Sequence, residues 1–394
     1  MKTILIGFIL CLCSASVSTS QTYEARAFWV VRDGLISEES ISEMVNRIAQ
    51  THCNMIFVQV CGRGDAYYQS DILPRAEQLS LLGEEFDPLQ SVIEQAHGRG
   101  LQVHAWINVY FVWSAPEQPQ SKKHIFHQHP DWIAYTSEGR SLLTYERPHP
   151  LGMEGVFLSP GHPDVQEWIP NVIGEIVSRY DIDGIHLDYV RYPNGETDFN
   201  PATRILFKER YAVDPIQLFR ERDALEKDLG VEGVAALDSL WYQWRCQNVT
   251  QTVGRIRRRI ETLKPKVMLS AAVKPDYDLA VKQFGQDWQA WMHDGLLDFI
   301  VVMAYSPVTE LVLEQIGMAC QLVQGGYLLA GVGVYNQDVI ATIQQIRGIR
   351  SLDVSGVSLF SYNSIVDDEE YFQSLKESSF RQEATVPRLT ARSE

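Results

Sequence analysis

The sequence predicts an α/β fold, a (β/α)8 TIM barrel with long loops after its third and fourth strands. Apolar segments of strand length alternate along the chain with amphipathic helical segments, a pattern that indicates a parallel sheet with helical crossovers. Eight such strand segments can be drawn, which is the number that closes this kind of barrel. The chain has 394 residues, more than the roughly 250 of an ordinary barrel, and the surplus falls into two connections.

The strands are predicted, in order, at residues 27–31, 55–60, 102–107, 184–188, 267–273, 299–304, 328–334 and 357–360. The helices between them carry recognisable start signals. Asp87 and Pro88 stand at the cap and first position of one helix, and Pro163 opens another whose apolar residues recur at helical spacing. The surplus lies between Asn108 and His162 and in the segment 189–241. Both connections follow a strand, so both should lie at the C-terminal face of the barrel, where such folds keep their chemistry.

The two ends of the chain differ from the segment between them. Residues 1–20 combine an early lysine, a short apolar run and a stretch of small residues, which predicts a secretory signal peptide cut near Ser20. The protein is therefore expected to be secreted or periplasmic. Residues 21–378 are expected to form a single domain, and the polar segment 379–394 is predicted to be a disordered tail.

Charge and composition exclude several kinds of partner. Lys and Arg number 34 against 50 Asp and Glu, the formal charge is −16, and no basic block occurs, so nucleic acid is not an expected partner. No second apolar stretch of spanning length follows the signal, so stable membrane insertion is not expected either. Four cysteines remain in the mature chain. Cys53 and Cys61 flank one predicted strand and should be too far apart to pair. The sequence leaves the oligomeric state open.

The most informative segment is Asp183-Gly-Ile-His-Leu-Asp-Tyr-Val-Arg-Tyr-Pro193. Its apolar and polar residues alternate, so in an extended strand His186 and Asp188 share one face. A carboxylate at the C-terminal end of a buried strand, followed at once by Tyr189 and Arg191, is typical of the catalytic mouth of a barrel enzyme.

Other strand ends add residues of the same chemical kinds. Carboxylates, amides, cations and aromatics occur at Gln59, Arg63, Asp65, His104, Trp106, Asn108, Lys274, Asp276, Tyr305 and Tyr335. This mixture suits a sugar, whose apolar ring faces stack on aromatic side chains while its hydroxyl groups pair with polar ones. Five histidines between positions 124 and 162 share one loop region, but they lack a regular ligand spacing. Because of this missing spacing, no metal site is predicted. No glycine-rich turn that could bind a dinucleotide is present either, so no cofactor is predicted.

Several separated blocks resemble glycosyl hydrolase-like family 10, which is distinct from the xylanases of that number. They are Arg26-Ala-Phe-Trp29, Gln59 to Tyr67, Asp87-Pro-Leu, Ala96 to Asn108, Ser159-Pro-Gly and Asp183 to Pro193. The resemblance covers roughly Glu24 to Tyr362 and implies a (β/α)8 barrel that hydrolyses glycosidic bonds, with some relatives acting on bacterial cell-wall glycan strands. It also brings Trp29 into the expected substrate-binding set. Where this family often has two adjacent Asp residues, the chain has Asp188-Tyr189.

The predicted catalytic set is Asp188, Asp276 and Asp65. Asp188 is interpreted as the nucleophile or general base, with Lys274 lowering its pKa. Asp276 and Asp65 are alternative proton donors, with Glu196 or Asp198 held in reserve. Two hypotheses follow: a secreted glycoside hydrolase acting on a polysaccharide or peptidoglycan glycan strand, or a non-catalytic carbohydrate-binding barrel. The substrate-binding residues would be Trp29, Gln59, Arg63, His104, Trp106, Asn108, His186, Tyr189, Arg191, Lys274, Tyr305 and Tyr335.

Overall fold

A computed structural model describes residues 21–144, 152–324 and 326–388. The predicted signal peptide lies outside the described residues and stays a prediction. Eight parallel strands form a closed barrel in chain order, because the last strand pairs with the first at Gly356 and Ala25. The strands are β1 (Ala25–Val30), β2 (Met55–Cys61), β3 (Gln102–Asn108), β4 (Gly184–Asp188), β5 (Met268–Val273), β6 (Phe299–Ala304), β7 (Leu328–Gly333) and β8 (Gly356–Phe360).

All eight predicted strands are confirmed, with ends that differ by at most two residues. Helices form the crossovers and the loop insertions. They are α1 (Glu38–Gln50), α2 (Pro88–His97), α3 (Ile125–Gln128), α4 (Pro163–Arg179), α5 (Pro201–Tyr211), α6 (Gln217–Arg220), α7 (Arg222–Leu263), α8 (Tyr277–Phe284), α9 (Trp288–His293), α10 (Thr309–Val323), α11 (Val339–Ile349) and α12 (Glu369–Glu377). The predicted start of α2 is confirmed, since the Asp87 carboxylate accepts a hydrogen bond from the Gln90 N–H at 3.1 Å.

Strand alternation sorts side chains between the barrel interior and the helix layer. Inward residues such as Trp29, Phe57 and Phe299 form one buried cluster, while the outward residues join the much larger core beneath the helices. His186 and Ser270 are buried among the inward set. The interior is thus filled with side chains, and the space available for a ligand lies at its C-terminal mouth.

The two long connections lie at that mouth, as predicted. In the first, the short strand Phe111–Trp113 pairs antiparallel with Val156–Phe157. The second contains α5, α6 and the start of α7, a helix that is interrupted at Gly230, where φ is 72°. The Asp198 carboxylate joins the two connections, accepting hydrogen bonds from the Tyr135 N–H at 3.1 Å and from the Ser159 hydroxyl.

The prediction of a disordered tail is wrong for residues 379–388, and residues 389–394 lie outside the described part of the chain. Ala384–Thr385 pairs in parallel with Thr22–Tyr23 at the start of the domain. The Phe380 ring is fully buried, and the Arg26 guanidinium lies 4.9 Å from its centroid. The polar composition of this segment gives no sign that it docks on the barrel, because one buried ring and backbone hydrogen bonds hold it in place.

Two further findings concern membranes and disulfides. No helix in the described part of the chain is both long and apolar enough to cross a bilayer. Cys53, Cys61, Cys246 and Cys320 are free thiols, and Cys53 and Cys61 lie at opposite ends of the β2 segment.

Phe380→Ala should lower the free energy of unfolding by about 3 kcal/mol, because the change opens a cavity under the docked segment. Chemical denaturation of the two proteins measures the difference. Phe219→Ala is the control, since this ring is 39% exposed and its loss should matter much less. Equal losses in the two variants would contradict the docking role of Phe380.

Candidate active site

Asp188 is the last residue of β4, and its side chain points into the barrel mouth, as strand parity predicts. Only 9% of the residue is exposed. The carboxylate accepts a hydrogen bond, 2.7 Å long, from the backbone N–H of Tyr189. Tyr189 has a φ of 49°, so the chain leaves the strand through a left-handed conformation that is uncommon for a residue with a side chain.

Asp188 lies in a cavity of about 480 Å³, which we call the Asp188 cleft. Residues from strand ends, loops and α10 at the C-terminal face line it. They include Trp29, Glu154, Asp188, Tyr189, Arg191, Lys274, Met303, Tyr305, Ser306, Leu311, Gln315 and Phe360. Six of these residues belong to the set predicted from the sequence, namely Trp29, Asp188, Tyr189, Arg191, Lys274 and Tyr305.

Burial raises the pKa of Asp188 from 3.8 to about 6. Withdrawal of the carboxylate from water is the largest cause, and it outweighs the opposing attraction of Arg191 and Lys274. Lys274 does lower the pKa of Asp188, as the sequence predicts, but the effect of burial is larger and the net shift is upward. Lys274 is itself partly desolvated, and burial together with the nearby Arg191 lowers its pKa.

Glu154 is a second carboxylate in the cleft, and sequence reasoning missed it. Its Oε2 lies 3.8 Å from the Arg191 guanidinium, and its side chain is 52% exposed. The nearby negative charge of Glu154 also contributes to raising the pKa values of Asp188 and Tyr189. Glu154 comes from the long connection after β3, far along the chain from the end of any barrel strand. A search restricted to strand ends could not find it.

Aromatic rings form one wall of the cleft. Tyr305 stacks on Phe360 with ring centroids 5.2 Å apart, and Trp29 meets Tyr305 edge to face at 6.1 Å. Tyr335 extends the wall toward solvent, where it is 52% exposed and contacts Phe360 edge to face at 6.0 Å. Such a surface can stack against the apolar face of a sugar ring.

Asp276 does not line the cleft. It is exposed, and its carboxylate caps α8 by accepting a hydrogen bond from the Leu279 N–H at 2.9 Å. The position just beyond β5 that made Asp276 a candidate proton donor is also the N-cap position of the next helix. In this case the capping role decides where the side chain points.

Asp65 and Arg63 lie in the loop after β2, also outside the cleft lining. The Asp65 carboxylate accepts a hydrogen bond from the Arg63 N–H at 3.1 Å. Burial raises the pKa of Asp65, and the charge of Arg32 opposes that effect. The Arg63 guanidinium lies 5.9 Å from the centroid of the Trp113 ring.

The buried amides and indole at the ends of β2 and β3 bond to the protein itself. Gln59 accepts from Arg32 at 2.8 Å, and Asn108 donates to the Gly62 carbonyl at 2.9 Å. The Trp106 indole N–H donates to the Asn108 side chain at 3.1 Å. These groups hold the rim of the barrel in shape, and the structure does not place them on the cleft lining.

His104 and His186 lie inside the barrel below the cleft, both fully buried. Burial lowers the pKa of His104 to about 4 and that of His186 well below its ordinary value. His124, at the mouth, bonds through Nε2 to the Arg63 carbonyl at 2.7 Å. Within the described residues, no group of three His, Cys, Asp or Glu side chains could hold a metal ion. His149 lies outside these residues.

A closed eight-stranded barrel with a carboxylate-bearing aromatic cleft at its C-terminal mouth defines a TIM-barrel protein of the glycosidase type. The family model described as Glycosyl hydrolase-like 10 matches residues 18–322. The chain belongs to this family, as its sequence blocks suggest.

Curated relatives agree with the family assignment. The chain is 27% identical over 303 residues to the protein named glycosyl hydrolase DigH of Escherichia coli K12, covering 70% of this chain and 60% of the relative. It is 25% identical over 337 residues to glycosyl hydrolase YngK of Bacillus subtilis, covering 77% of this chain and 58% of that protein. The chain thus spans about 60% of the length of these relatives.

Solved structures share the fold. The PgaB glycoside hydrolase domain from Bordetella bronchiseptica superposes with a TM-score of 0.66 at 13% identity, covering 90% of this chain and 98% of that domain. The catalytic domain of a β-amylase from Paenibacillus polymyxa gives 0.62 at 12% identity, with 93% and 100% covered.

Asp188→Asn should stabilise the protein at pH 7. The folded state keeps the Asp188 proton up to about pH 6, whereas the unfolded chain releases it near its ordinary pKa of 3.8. Ionisation therefore costs the folded state stability as the pH rises between these values. Asparagine avoids that cost, so unfolding should become harder by up to about 3 kcal/mol at pH 7. The gain should vanish near pH 3.

Denaturant unfolding of both proteins from pH 3 to pH 8 measures this difference. Asp198→Asn is a matched control, because burial also raises the pKa of Asp198 to about 6, while its carboxylate makes several hydrogen bonds. We expect this control to be destabilised at pH 7, since the amide cannot accept all of them. A loss of stability in Asp188→Asn at pH 7 would contradict the desolvation of Asp188.

Proposed function

We propose that the protein is a secreted glycoside hydrolase that cleaves glycosidic bonds in a polysaccharide or a peptidoglycan glycan strand. One observation carries the proposal: two carboxyl groups with contrasting surroundings, Asp188 and Glu154, share an aromatic-walled cleft. Glycosidases use two carboxyl groups in different protonation states, one as an acid and the other as an anion.

The surroundings assign the two roles. Asp188 is desolvated and its pKa is raised to about 6, as suits a group that must hold and then donate a proton. Glu154 faces the Arg191 guanidinium and the Tyr189 hydroxyl, two donors that suit an anion. We therefore assign Asp188 as the proton donor and Glu154 as the ionised partner, in place of the sequence-based assignment of Asp188 as nucleophile or base.

In this mechanism Asp188 transfers its proton to the glycosidic oxygen as the bond from that oxygen to the anomeric carbon breaks. Glu154 supplies the negative charge on the other side of the sugar. It either attacks the anomeric carbon directly or takes a proton from the water that attacks. The stacked Tyr305 and Phe360 rings support the sugar face during the reaction.

The charge of the cleft favours an acidic glycan. With Asp188 protonated, the cationic side chains of Arg191 and Lys274 face the single negative charge of Glu154. Lys274 Nζ lies 5.1 Å from the Phe284 ring, and no carboxylate among the described residues lies within salt-bridge distance of it. Peptidoglycan glycan strands without their stem peptides carry a free lactyl carboxylate on alternate sugars, so they fit this excess of positive charge better than a neutral polymer does.

A non-catalytic carbohydrate-binding barrel is the second candidate. The aromatic wall would serve such a protein equally well, and Tyr189 stands where members of this family often carry a second Asp. Incubation of the purified protein with glycan strands separates the two candidates, because only a hydrolase produces new reducing ends.

Asp188→Asn should reduce turnover by at least about 100-fold on glycans with poor leaving groups, because they need a proton donor. It should reduce turnover much less on activated aryl glycosides, whose leaving group departs without protonation. Glu154→Gln should reduce turnover on both substrate types. Asp276→Asn is the matched control, and it should keep wild-type turnover because asparagine also caps a helix well.

The pH profile tests the same assignment. A donor with a pKa of about 6 predicts that kcat/KM falls as the pH rises above about 6, since the required proton is lost. An equal loss on both substrate types in Asp188→Asn, with no alkaline fall near that pH, would reverse the two roles. Wild-type turnover in Asp188→Asn would remove Asp188 from the mechanism.

Lys274→Met should raise KM for glycans with carboxylate-bearing sugars by roughly tenfold, the effect of losing about 1.4 kcal/mol of interaction. KM for neutral glycans of the same length should change little. Steady-state kinetics on the two substrate series provides the measurement, with exposed Lys282→Met as the control for charge loss outside the cleft. Parallel changes for acidic and neutral glycans would contradict the proposed preference.

A further inference from the structure

A hydrogen-bonded row of side chains crosses the barrel interior directly beneath the Asp188 cleft. The Trp29 indole N–H of β1 donates to His186 Nε2 of β4 at 3.0 Å. His186 Nδ1 lies 2.9 Å from the Ser270 hydroxyl of β5, and that hydroxyl lies 3.4 Å from the Ile185 carbonyl oxygen. The row therefore links three barrel strands at the level just below Asp188.

The donors and acceptors in this row fix the state of the imidazole. An indole N–H can only donate, so His186 Nε2 must be the acceptor and carries no proton. The proton must then lie on Nδ1, which donates a hydrogen bond to the Ser270 hydroxyl oxygen. The Ser270 O–H can in turn donate a hydrogen bond to the Ile185 carbonyl oxygen. Complete burial also disfavours the charged imidazolium.

His186 cannot exchange protons with Asp188 in this arrangement. The two residues share one strand face, but both imidazole nitrogens are already engaged, one by Trp29 and the other by Ser270. A role for His186 in catalysis must therefore act through another residue, and Trp29 is the one that reaches the cleft.

Trp29 supports the aromatic wall from below. Its ring contacts Tyr305 edge to face at 6.1 Å and Phe360 at 5.8 Å, and these two rings form the stacked pair that faces the cleft. His186 is the only acceptor within hydrogen-bond distance of the Trp29 indole N–H in the part of the chain that the structure describes. Without it, the indole would keep its packing but lose the contact that selects one orientation of the ring.

We infer that His186 is a positioning residue, a neutral imidazole that fixes the Trp29 indole so that the Tyr305 and Phe360 rings are held ready for a sugar. The inference rests on the proposed function, since it concerns the same cleft. It adds a role for a buried residue that does not touch the substrate, and it gives a function to the polar row that crosses the barrel interior.

Two substitutions of His186 separate this role from general packing. In His186→Gln, the amide oxygen can reach the position of Nε2 and accept from Trp29. In His186→Asn, the shorter amide can reach only toward Ser270. We expect KM, and Kd for glycan oligosaccharides, to rise about tenfold in His186→Asn, matching about 1.4 kcal/mol for a lost buried hydrogen bond, with a smaller change in kcat. His186→Gln should stay within about threefold of wild type.

A spectroscopic measurement follows the hydrogen bond itself. The indole N–H resonance of Trp29, identified by its absence in Trp29→Phe, should be protected from solvent exchange in wild type and in His186→Gln. Protection should fall in His186→Asn. Similar protection and similar KM in the Asn and Gln variants would overturn the inference.

Two further outcomes are decisive. If the protein binds oligosaccharides but cleaves none, the proposed hydrolase fails, whereas the positioning role is still judged by Kd and indole protection. If His186→Asn does not fold, Trp29→Phe removes the same hydrogen bond from the other side and keeps an aromatic ring. We then expect the tenfold rise in Kd from Trp29→Phe, and an unchanged Kd would overturn the inference.

Discussion

The withdrawal of Asp188 from water is the constraint on which the candidate site depends. A carboxyl group at a strand end in open solvent would keep an ordinary pKa near 4. Here the aromatic wall and the loop after β4 cover it, and burial raises its pKa to about 6 although two cations lie nearby. The barrel therefore creates a group that can exchange a proton near neutral pH. Among the described residues, the Asp188 carboxylate accepts a hydrogen bond from the Tyr189 N–H, and no cation lies within salt-bridge distance of it.

The two long connections form the surroundings of Asp188 because hydrogen bonds hold them together. Asp198, in the connection after β4, accepts hydrogen bonds from the Tyr135 N–H and the Ser159 hydroxyl of the connection after β3. These hydrogen bonds hold the described part of the first connection in place, and Glu154 of that connection lies beside Arg191 and Tyr189. Asp198 and Asp188 are both buried carboxyls with raised pKa values, yet their contacts differ. Asp198, which accepts several hydrogen bonds, holds the two connections together, whereas Asp188 faces the cleft.

Polar residues at the barrel mouth divide into groups that shape the rim and groups that remain available to a ligand. The side chains of Gln59 and Asn108 bond to neighbouring loops, and Asp276 caps a helix. Lys274 and Tyr305 instead line the open cavity. This division follows from the rule that buried polar atoms must find partners. A strand-end residue becomes available for binding only where no nearby backbone or side-chain group needs it.

The sequence by itself determined the barrel and the place of Asp188. Strand length, apolar content and two-residue alternation are local properties, so eight strands and the inward direction of Asp188 could be read before any contact was known. The family blocks strengthened the same conclusion.

Only the tertiary structure decided which carboxylates meet and which protonation states they favour. The folding of a long loop brings Glu154 into the cleft that contains Asp188. Asp276 lies outside this cleft because its side chain caps α8. The pKa of Asp188 depends on how much water the assembled walls exclude, and the docking of residues 379–388 depends on a buried Phe380 ring and on pairing with the distant strand Thr22–Tyr23. Desolvation and long-range contacts are properties of the packed molecule, and no local pattern in the chain carries them.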